Sequence, residues 1–534
     1  MRDRIRRGMF LHHNSGATPD RAATQGVNLM SKFKNLAIAA LVVLAASSTT
    51  FAQAKNVILM ISDGIGFNGW EAAKYYQGGL PYDNADFNFY GMTTYMHNVY
   101  DHDEGRILLS NGEANGTDSA TKNWSAVPQG YDPAQMWSDF NYHRGSYSGD
   151  YNKFTDSAAA ATAMYTGQKT YNSAVSYSVD GQEIKSFYEY AAEAGMATGS
   201  VTSVQLNHAT PSCVDAHSFY RYNKDDLGHD MVTSDLDVIM GGDTYIDGSD
   251  YQDHGNGGGV AGWKADAAAR GFTVIDENDL TDWTDLADMD GSFKSGAVPT
   301  KIAGTFNGST LDGRTTPTLE QMTKGAIEVL SQNANGFAMM VEGGAVDWQN
   351  HANDIGLMMR EQVDFDNSVQ AVMDWVDANS NWDETLLIVT SDHECGGIWG
   401  PNTVTDFGTL DSGDDDGHLD DVINATWQNV VADTDPGTPG NQPGVQYVSG
   451  GHTNALVPLW ARGNGADLFD SLVDGIDADA ANFWTQFGGG WNGSYVDNTD
   501  VFSVMMDASG VPEPASIGLI ALGGLALIRR RRSA

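Results

Sequence analysis

The chain has 534 residues, enough for two or three ordinary domains or for one large α/β domain with insertions. Its 70 Asp and Glu residues outnumber its 29 Lys and Arg residues, giving a formal net charge of −41, so we expect no nucleic-acid partner. The two cysteines, Cys213 and Cys395, cannot form a disulfide framework, and we interpret both as small buried residues.

The N-terminal residues 1–54 are interpreted as a leader that contains a signal peptide. After Met30 come a basic segment at 31–35 (SKFKN), an apolar segment at 36–46 and a small-residue cleavage site at 52–54 (AQA). We therefore expect a functional start at Met30 and cleavage by signal peptidase, so that the mature protein begins near Lys55.

Short apolar runs rich in β-branched residues alternate with amphipathic stretches across the middle of the chain. Strands are predicted at residues 56–61, 197–204, 336–341, 385–390 and 455–460. Helices are predicted at residues 318–332 and 360–378, where apolar residues recur at three- and four-residue spacing. The pattern predicts an α/β fold with a doubly wound, largely parallel central sheet covered by helices on both faces.

Three segments rich in Gly, Asp, Asn and Trp lack strong periodicity, and we predict that they are surface insertions within one domain of residues 55–510. They span about residues 79–153, 243–315 and 399–446. The acidic run at 411–421 lacks the spacing and the terminal Glu of an EF-hand, so a solvated loop is favoured over a calcium site.

Residues 154–167, FTDSAAAATAMYTG, place Asp156 and Ser157 directly before a run of small helix-forming residues. Unpaired N–H groups and the helix dipole favour an anion there, and they would also favour an ionised serine that attacks phosphate. A plain capping role is the alternative. The TDSA of residues 117–120 repeats the motif, but no small-residue helix follows Ser119, so Ser157 is the predicted nucleophile.

Polar side chains follow four of the predicted strands at their carboxyl ends, where open α/β sheets build their sites. These residues are Asp63 after the first strand, His208 and Thr210 after the second, Glu342 after the third, and Asp392 and His393 after the fourth. Each residue taken singly is more often a turn residue or a helix cap. Four strands that deliver such side chains to one edge nevertheless predict a metal site.

A first ligand set is predicted from the sequence DWQNH. Asp347 and His351 are four residues apart, so both face one ion on a helical turn. His452, in GGHT, adds a second imidazole. Two imidazoles and a carboxylate with one open position are typical of catalytic zinc.

Two further ligand sets share Asp63. With Asp392 and His393 it forms a second nitrogen and oxygen set, which Ser157 would complete on ionising. With Thr210 and Glu342 it offers only oxygen, the preference of magnesium. Three ions are therefore expected close together.

These motifs resemble the alkaline phosphatase family, in the order LMISDGIG, FTDSAAAATA, HATPS…HSFYR, MVEGGAVDWQNH, IVTSDHE and GGHTN. The resemblance covers roughly residues 55–462. It implies two Zn²⁺ ions and one Mg²⁺ ion in the three ligand sets, with Ser157 as the nucleophile. It also implies that Arg221, which ends HSFYR, grips the phosphate with its planar fork and that Asp156 helps to place Arg221.

The activity implied by the resemblance is hydrolysis of phosphate monoesters at alkaline pH through a phosphoserine intermediate. A phosphodiesterase or sulfatase on the same scaffold is the alternative among enzymes, and a non-catalytic, surface-anchored matrix protein is the alternative outside them. The oligomeric state stays open, with a homodimer as one alternative.

Two positions beside the expected site differ from the best-known enterobacterial type of the family. His208 and Trp348 stand where that type has Asp and Lys, and this combination is similar to marine, cold-active members. Loss of the lysine removes an indirect phosphate contact, and loss of the acid removes charge beside the magnesium site. We therefore expect weaker phosphate binding.

Residues 511–534 contain VPEP, an apolar segment at 515–528 and four arginines at 529–532. This tail resembles the PEP-CTERM sorting signal of Gram-negative bacteria, which an exosortase recognises and removes. A membrane anchor is the alternative, although the apolar segment is shorter than the roughly 20 residues that span a bilayer. Either interpretation predicts export, to the periplasm, the cell surface or the extracellular matrix.

Overall fold

The computed structural model describes residues 53–96, 130–144, 154–243, 251–275, 298–308, 310, 317–407, 422–432 and 442–512. The predicted leader up to residue 52, Ser119, the acidic run at 411–421 and the sorting tail from residue 513 lie outside these ranges.

An eleven-stranded sheet forms the centre of the described structure. In spatial order its strands are β16 (Gly475–Ile476), β17 (Ser494–Asp497), β2 (Asn88–Thr93), β15 (Val457–Gly463), β8 (Thr385–Thr390), β1 (Asn56–Ser62), β7 (Phe337–Gly343), β3 (Ala197–Gln205), β4 (Val238–Gly242), β6 (Ile302–Phe306) and β5 (Thr273–Ile275). All neighbours from β8 to β5 are parallel, whereas β15 is antiparallel to β2 and β8. The predicted largely parallel sheet is confirmed.

The described helices are, in chain order, α1 (Phe67–Gln77), α2 (Pro133–Ser138), α3 (Phe140–Arg144), α4 (Ser157–Thr166), α5 (Phe187–Glu193), α6 (Ala209–Ser212), α7 (Lys224–Thr233), α8 (Gly259–Ala269), α9 (Leu319–Leu330), α10 (Ala345–His351), α11 (Ile355–Asn379), α12 (Ala478–Phe483) and α13 (Asp500–Ser509), with a 3₁₀ helix at Ala466–Ser471. Within the described ranges, none of these helices has the length and apolarity required to cross a bilayer.

Strand β1 shows how the sheet is covered on both faces. All seven of its residues are buried. Ile58 and Met60 pack in one hydrophobic cluster together with α9 and α11, whereas Leu59 and Ile61 pack in a second cluster together with α4 and α13. Because successive strand residues point to opposite faces, helices must cover both sides, as predicted from its continuous apolar run.

Capping residues decide where the two predicted helices begin. Helix α9 starts after Thr318, whose side chain accepts a hydrogen bond from the Gln321 backbone N–H over 3.2 Å. Helix α11 starts at Ile355, five residues before the predicted boundary, because the Asp354 carboxylate accepts from the N–H groups of Gly356 and Leu357. Thr318 is the first residue of the predicted helix, whereas Asp354 lies outside the apolar pattern used for the prediction.

Segments predicted as insertions also build regular structure. The first supplies β2, and the second supplies β5 and β6, to the central sheet, which the sequence pattern did not predict. The third contains a two-stranded sheet of β11 (Val404–Phe407) and β12 (Val422–Thr426), and β10 (Ile398–Trp399) pairs with β13 (Gln446–Tyr447). Short strands such as β2, NFYGMT, are hard to predict because they are brief and contain glycine.

Candidate active site

The predicted ligands lie at one edge of the sheet because β8, β1, β7 and β3 are parallel neighbours. Asp63 follows β1, Thr210 lies in the short helix after β3, Glu342 lies near the end of β7, and Asp392 and His393 follow β8. Helix α10 and a small antiparallel pair of β9 (Glu394–Cys395) and β14 (His452–Thr453) complete the site. All three predicted ligand sets therefore meet there.

Ser157 is the first residue of α4, and its side chain faces this edge. Asp156 is the N-cap residue, and its Oδ1 accepts a hydrogen bond from the Ala159 N–H over 3.0 Å. The Ser157 Oγ lies 3.3 Å from Nε2 of His393 and 3.5 Å from Oδ2 of Asp63. The serine is thus both at a helix N-terminus and in contact with two predicted ligands.

The first ligand set joins α10 to β14. Nε2 of His351 and Nε2 of His452 lie 3.2 Å apart and 3.4 and 3.5 Å from the carboxylate oxygens of Asp347. Nδ1 of His351 donates to the Gly450 carbonyl over 2.8 Å, and Nδ1 of His452 donates to the Thr155 carbonyl over 2.7 Å. In the neutral rings, Nε2 is left with a lone pair, so both rings present metal-binding nitrogens to one point.

The second ligand set is fully buried. Nε2 of His393 lies 3.2 Å from Oδ2 of Asp392 and 3.5 Å from Oδ1 of Asp63. The ring of His393 stacks on that of His452 with the centroids 3.7 Å apart, so the first and second sets are in contact.

The third ligand set surrounds Glu342, which is also fully buried. The Thr202 hydroxyl donates a hydrogen bond to Oε2 of Glu342, and Thr210 lies beside this carboxyl group. The role of Thr202 was missed because a threonine inside a strand has no sequence signal that separates it from a packing residue.

Five buried oxygen atoms of the site have no hydrogen-bond partner within the described structure. They are Asp63 Oδ1, Thr210 Oγ1, Glu342 Oε1, Asp347 Oδ1 and Asp392 Oδ2. Burying unpaired carboxylate oxygens costs several kcal/mol of stability unless a cation or a proton compensates them. The site therefore fits bound cations, and its nitrogen and oxygen donors suit zinc and magnesium.

The ligand atoms fall into three overlapping groups, within each of which every pair of ligand atoms is closer than 4.8 Å. The groups are Asp347, His351, Cys395 and His452; Asp63, Asp347 and His393; and Asp63, His208 and Glu342. Each group contains one residue that the predicted set lacks. Cys395 is added to the first group, Asp347 to the second and His208 to the third.

Burial and mutual repulsion shift the carboxyl groups of the site. Burial, followed by the charges of Asp392, Asp347 and Glu342, raises the pKa of Asp63 well above its ordinary value. Burial likewise raises the pKa of Asp392 to about 6 and that of Glu342 to about 7. Burial and the charge of the neighbouring His452 hold the pKa of His393 well below its usual range. An isolated positive or negative charge is therefore unfavourable in this buried site, whereas a cation and the carboxylates would stabilise each other.

Arg221 is linked to the Ser157 segment by a hydrogen bond to Asp156, the residue that precedes the serine. Nη1 of Arg221 donates to Oδ2 of Asp156 over 2.9 Å, and Nη2 donates to Nε2 of His208 over 3.1 Å. Asp156 also accepts hydrogen bonds from the Ser173 N–H over 3.0 Å. The Trp348 ring packs edge-on against His208 at 5.9 Å between centroids, so His208 lies between the arginine and Trp348 in this chain of contacts.

Gly64 shapes the first ligand set and was not selected from the sequence. Its φ is +72°, and a Cβ at this position would lie 2.6 Å from the Cβ of Asp347. Its N–H donates to Asp392 over 3.1 Å, and its carbonyl accepts from Asn350 over 2.8 Å. Only glycine fits here because both the conformation and the space exclude a side chain.

Comparison with known proteins gives two matches along the sequence. The alkaline phosphatase family model matches residues 139–480, which is more than half of the chain, and the PEP-CTERM protein-sorting motif matches residues 510–532. The sorting motif indicates export from a Gram-negative cell, which confirms that part of the localisation prediction.

Curated relatives include alkaline phosphatase 3 of Bacillus subtilis, which is 36% identical over 46% of this chain and 50% of its own length. The alkaline phosphatase of Escherichia coli is 28% identical over 54% of this chain and 69% of its own length. The chain thus spans about half the length of the first curated relatives it matches.

Solved structures share the fold. The alkaline phosphatase of the Antarctic bacterium TAB5 aligns over 86% of this chain and 100% of its own, with a TM-score of 0.56 and 23% identity. A cold-active alkaline phosphatase from a psychrophilic Shewanella also aligns over 86% of this chain and 100% of its own, with a TM-score of 0.53 and 23% identity. With the sequence match over residues 139–480, this chain belongs to the alkaline phosphatase family.

Proposed function

We propose that this protein is a metal-dependent hydrolase of phosphate monoesters that works through a phosphoserine at Ser157. The observation that carries the proposal is the position of the Ser157 hydroxyl. It lies at a helix N-terminus, 3.3 Å from His393 and 3.5 Å from Asp63, among buried oxygens that lack a compensating cation. Family membership and curated relatives named alkaline phosphatase support the same activity.

The residues of the chain divide the reaction between them. Ser157 gives its proton to solvent and its Oγ attacks phosphorus, the bond from phosphorus to the ester oxygen breaks with its electron pair on that oxygen, the oxygen takes up a proton from solvent and leaves as the alcohol, and a phosphoserine forms. Water then cleaves the phosphoserine and phosphate is released. The N-terminus of α4 favours the ionised serine, and Arg221, held by Asp156, presents its free N–H groups to the charged phosphoryl oxygens.

We infer two zinc ions and one magnesium ion as the resident metals. Zinc would be held by Asp347, His351 and His452 and by Asp63, Asp392 and His393, and magnesium by Asp63, Thr210 and Glu342. When bound, these ions act as Lewis acids that stabilise anionic oxygen. The unpaired oxygen atoms of all three sets support this assignment.

Magnesium in the third set is supported by TAB5 alkaline phosphatase. Variants of that enzyme in which one histidine is replaced by Glu or Asp are described with Mg bound in the M3 site. In this chain, His208 places a ring nitrogen beside Asp63 and Glu342. We therefore propose that His208 weakens the preference of the third set for magnesium, because a hard cation prefers oxygen.

Two alternatives are tested by the same measurements. Phosphodiesterases on this scaffold generally lack the arginine and the third ligand set, whereas the chain contains Thr210, Glu342 and Arg221. A non-catalytic matrix protein would not need a complete ligand set. We also propose that residues 55–510 form the mature catalytic domain, since β1 begins at Asn56 and α13, which packs in the same core, ends at Ser509.

The decisive experiment is a metal count on the purified protein combined with steady-state kinetics. We expect about two zinc ions per chain and faster hydrolysis of a mono-nitrophenyl phosphate than of the bis-nitrophenyl diester. The Asp347→Asn variant serves as the control and should lose zinc and activity together. Faster cleavage of the diester, or metal-free protein after zinc loading, would overturn the proposal.

A further inference from the structure

Cys395 lies inside the first ligand group, although the proposed reaction makes no use of it. Strands β9 and β14 pair so that Cys395 stands directly opposite His452, which places both side chains on one face. Its sulfur is within 4.8 Å of the ligand atoms of Asp347, His351 and His452. The Cys395 N–H donates to the Gly64 carbonyl over 3.1 Å and thereby fixes the strand against the site.

A buried carboxylate oxygen beside this sulfur would also be compensated by a cation. Oδ1 of Asp347, a residue only 5% exposed, has no hydrogen-bond partner in the described structure and faces the same group. The other cysteine differs. The Cys213 sulfur contacts the Ala158 carbonyl and the Thr162 hydroxyl, both at 3.6 Å, and none of the described ligand groups includes it.

We propose that Cys395 is a fourth protein ligand of the first metal site, binding as a thiolate whose proton passes to solvent when the ion binds. The inference rests on the proposed function, since it concerns the metal of that site. Zinc accepts sulfur together with nitrogen and oxygen ligands, and it can expand to five ligands, which leaves a position for a substrate oxygen. A soft thiolate also makes the site selective for zinc over magnesium.

Cobalt substitution tests the proposal without relying on activity. Metal-free protein loaded with Co²⁺ should show thiolate-to-cobalt charge-transfer absorption in the near ultraviolet. The band should be lost in Cys395→Ser and retained in Cys213→Ser, which is the matched control because it removes the only other cysteine. A band that persists in Cys395→Ser, or that is absent from the unmodified cobalt protein, would overturn the proposal.

X-ray absorption at the zinc edge provides a test that needs no variant. We expect one sulfur neighbour at about 2.3 Å from one of the zinc ions. Zinc that is bound with nitrogen and oxygen neighbours only, in a protein that still hydrolyses phosphate monoesters, would refute the role of Cys395 and leave the proposed function intact. Failure to bind zinc or cobalt at all would refute both.

Discussion

Nη2 of Arg221 donates a hydrogen bond to Nε2 of His208 over 3.1 Å, while Nη1 of Arg221 donates to Asp156. A guanidinium group only donates, so Nε2 of His208 must be unprotonated. Burial, followed by the charges of Arg221 and Lys224, lowers the pKa of His208 well below its ordinary value and keeps the ring neutral. His208 therefore positions the arginine without neutralising it, and Asp156 is the charged partner.

Replacing this neutral ring and its neighbour should change the binding of phosphate. In the double variant His208→Asp with Trp348→Lys, we expect tighter inhibition by phosphate, a lower kcat and a stronger dependence on magnesium. The lysine adds a cation for the phosphate, and the carboxylate adds an oxygen ligand near Glu342. If release of phosphate limits turnover, tighter binding must slow kcat. The phosphate inhibition constant, kcat and magnesium activation check the prediction.

The single variant His208→Asn is the control for this experiment. Its amide oxygen carries no charge and attracts magnesium less than a carboxylate does, so its dependence on magnesium should rise less than that of the double variant. An unchanged or larger phosphate inhibition constant in the double variant would contradict the argument about product release.

Removing the guanidinium group should damage binding of the charged phosphoryl group and spare the metals. For Arg221→Ala we expect kcat/KM to fall by about one to three orders of magnitude and phosphate inhibition to weaken. The zinc content should not change, because Arg221 contacts Asp156 and His208 rather than the zinc ligands. Arg221→Lys keeps the positive charge but loses the planar guanidinium group. Its kcat/KM should therefore lie between the values of the unmodified protein and of Arg221→Ala. Loss of zinc, or unchanged kinetics, would show that Arg221 has a structural role.

Replacing the nucleophile should abolish turnover without lowering the stability of the fold. Ser157→Ala is expected to lose nearly all turnover while it keeps its metals and its Tm, since the N-cap contact of α4 comes from Asp156. Ser119→Ala, in the repeated TDSA sequence, is the matched control and should keep activity within about threefold. Phosphoserine trapped at acidic pH should map to the peptide that contains Ser157. Near-normal turnover in Ser157→Ala would disprove the assignment.

A methyl group at Gly64 should disturb the first metal. In Gly64→Ala, the added Cβ would overlap Asp347, so we expect zinc affinity to fall by about tenfold or more. Gly78→Ala is the control. Gly78 has a similar φ of +81° but open space around it, so that variant should lose only about 1–2 kcal/mol of stability and no zinc affinity. Equal zinc affinity in the two variants would contradict the steric argument.

An ion pair remote from the ligands should titrate in the alkaline range. Nε2 of His217 lies 3.3 Å from Glu189, and its Nδ1 donates to the Ser176 carbonyl over 3.0 Å. Burial by itself lowers the pKa of His217, but Glu189, with help from Glu183, raises it to about 9. Because the folded pKa exceeds the unfolded value, the stabilisation is complete below the unfolded pKa and is lost as pH rises through about 9.

The His217→Gln variant tests this titration. Relative to the unmodified protein, its Tm should be lower at pH 7.5, and the difference should shrink towards pH 10. Asp215, whose pKa burial raises to about 7, is mostly ionised over this range. A Tm difference that does not depend on pH would show that the histidine acts by packing alone.

The sequence alone predicts those strands, helices and site positions that depend on residues close together in the chain. The apolar run NVILMI predicts a strand buried on both faces, and Asp-Ser before an alanine-rich stretch predicts a capped helix with Ser157 at its start. The rule that parallel strands carry sites at their carboxyl ends then brings Asp63 and Glu342 to one edge. These inferences succeed because periodicity, capping and strand direction depend on neighbours in the sequence.

Tertiary structure alone decided contacts between distant segments. The sequence identifies Cys395 as a small buried residue, which is correct, yet only the pairing of β9 with β14 places its sulfur opposite His452. Likewise, the requirement for glycine at position 64 arises from Asp347, which lies 283 residues later in the chain. Such contacts depend on how strands and helices pack across the whole fold, and no local pattern of residues encodes that packing.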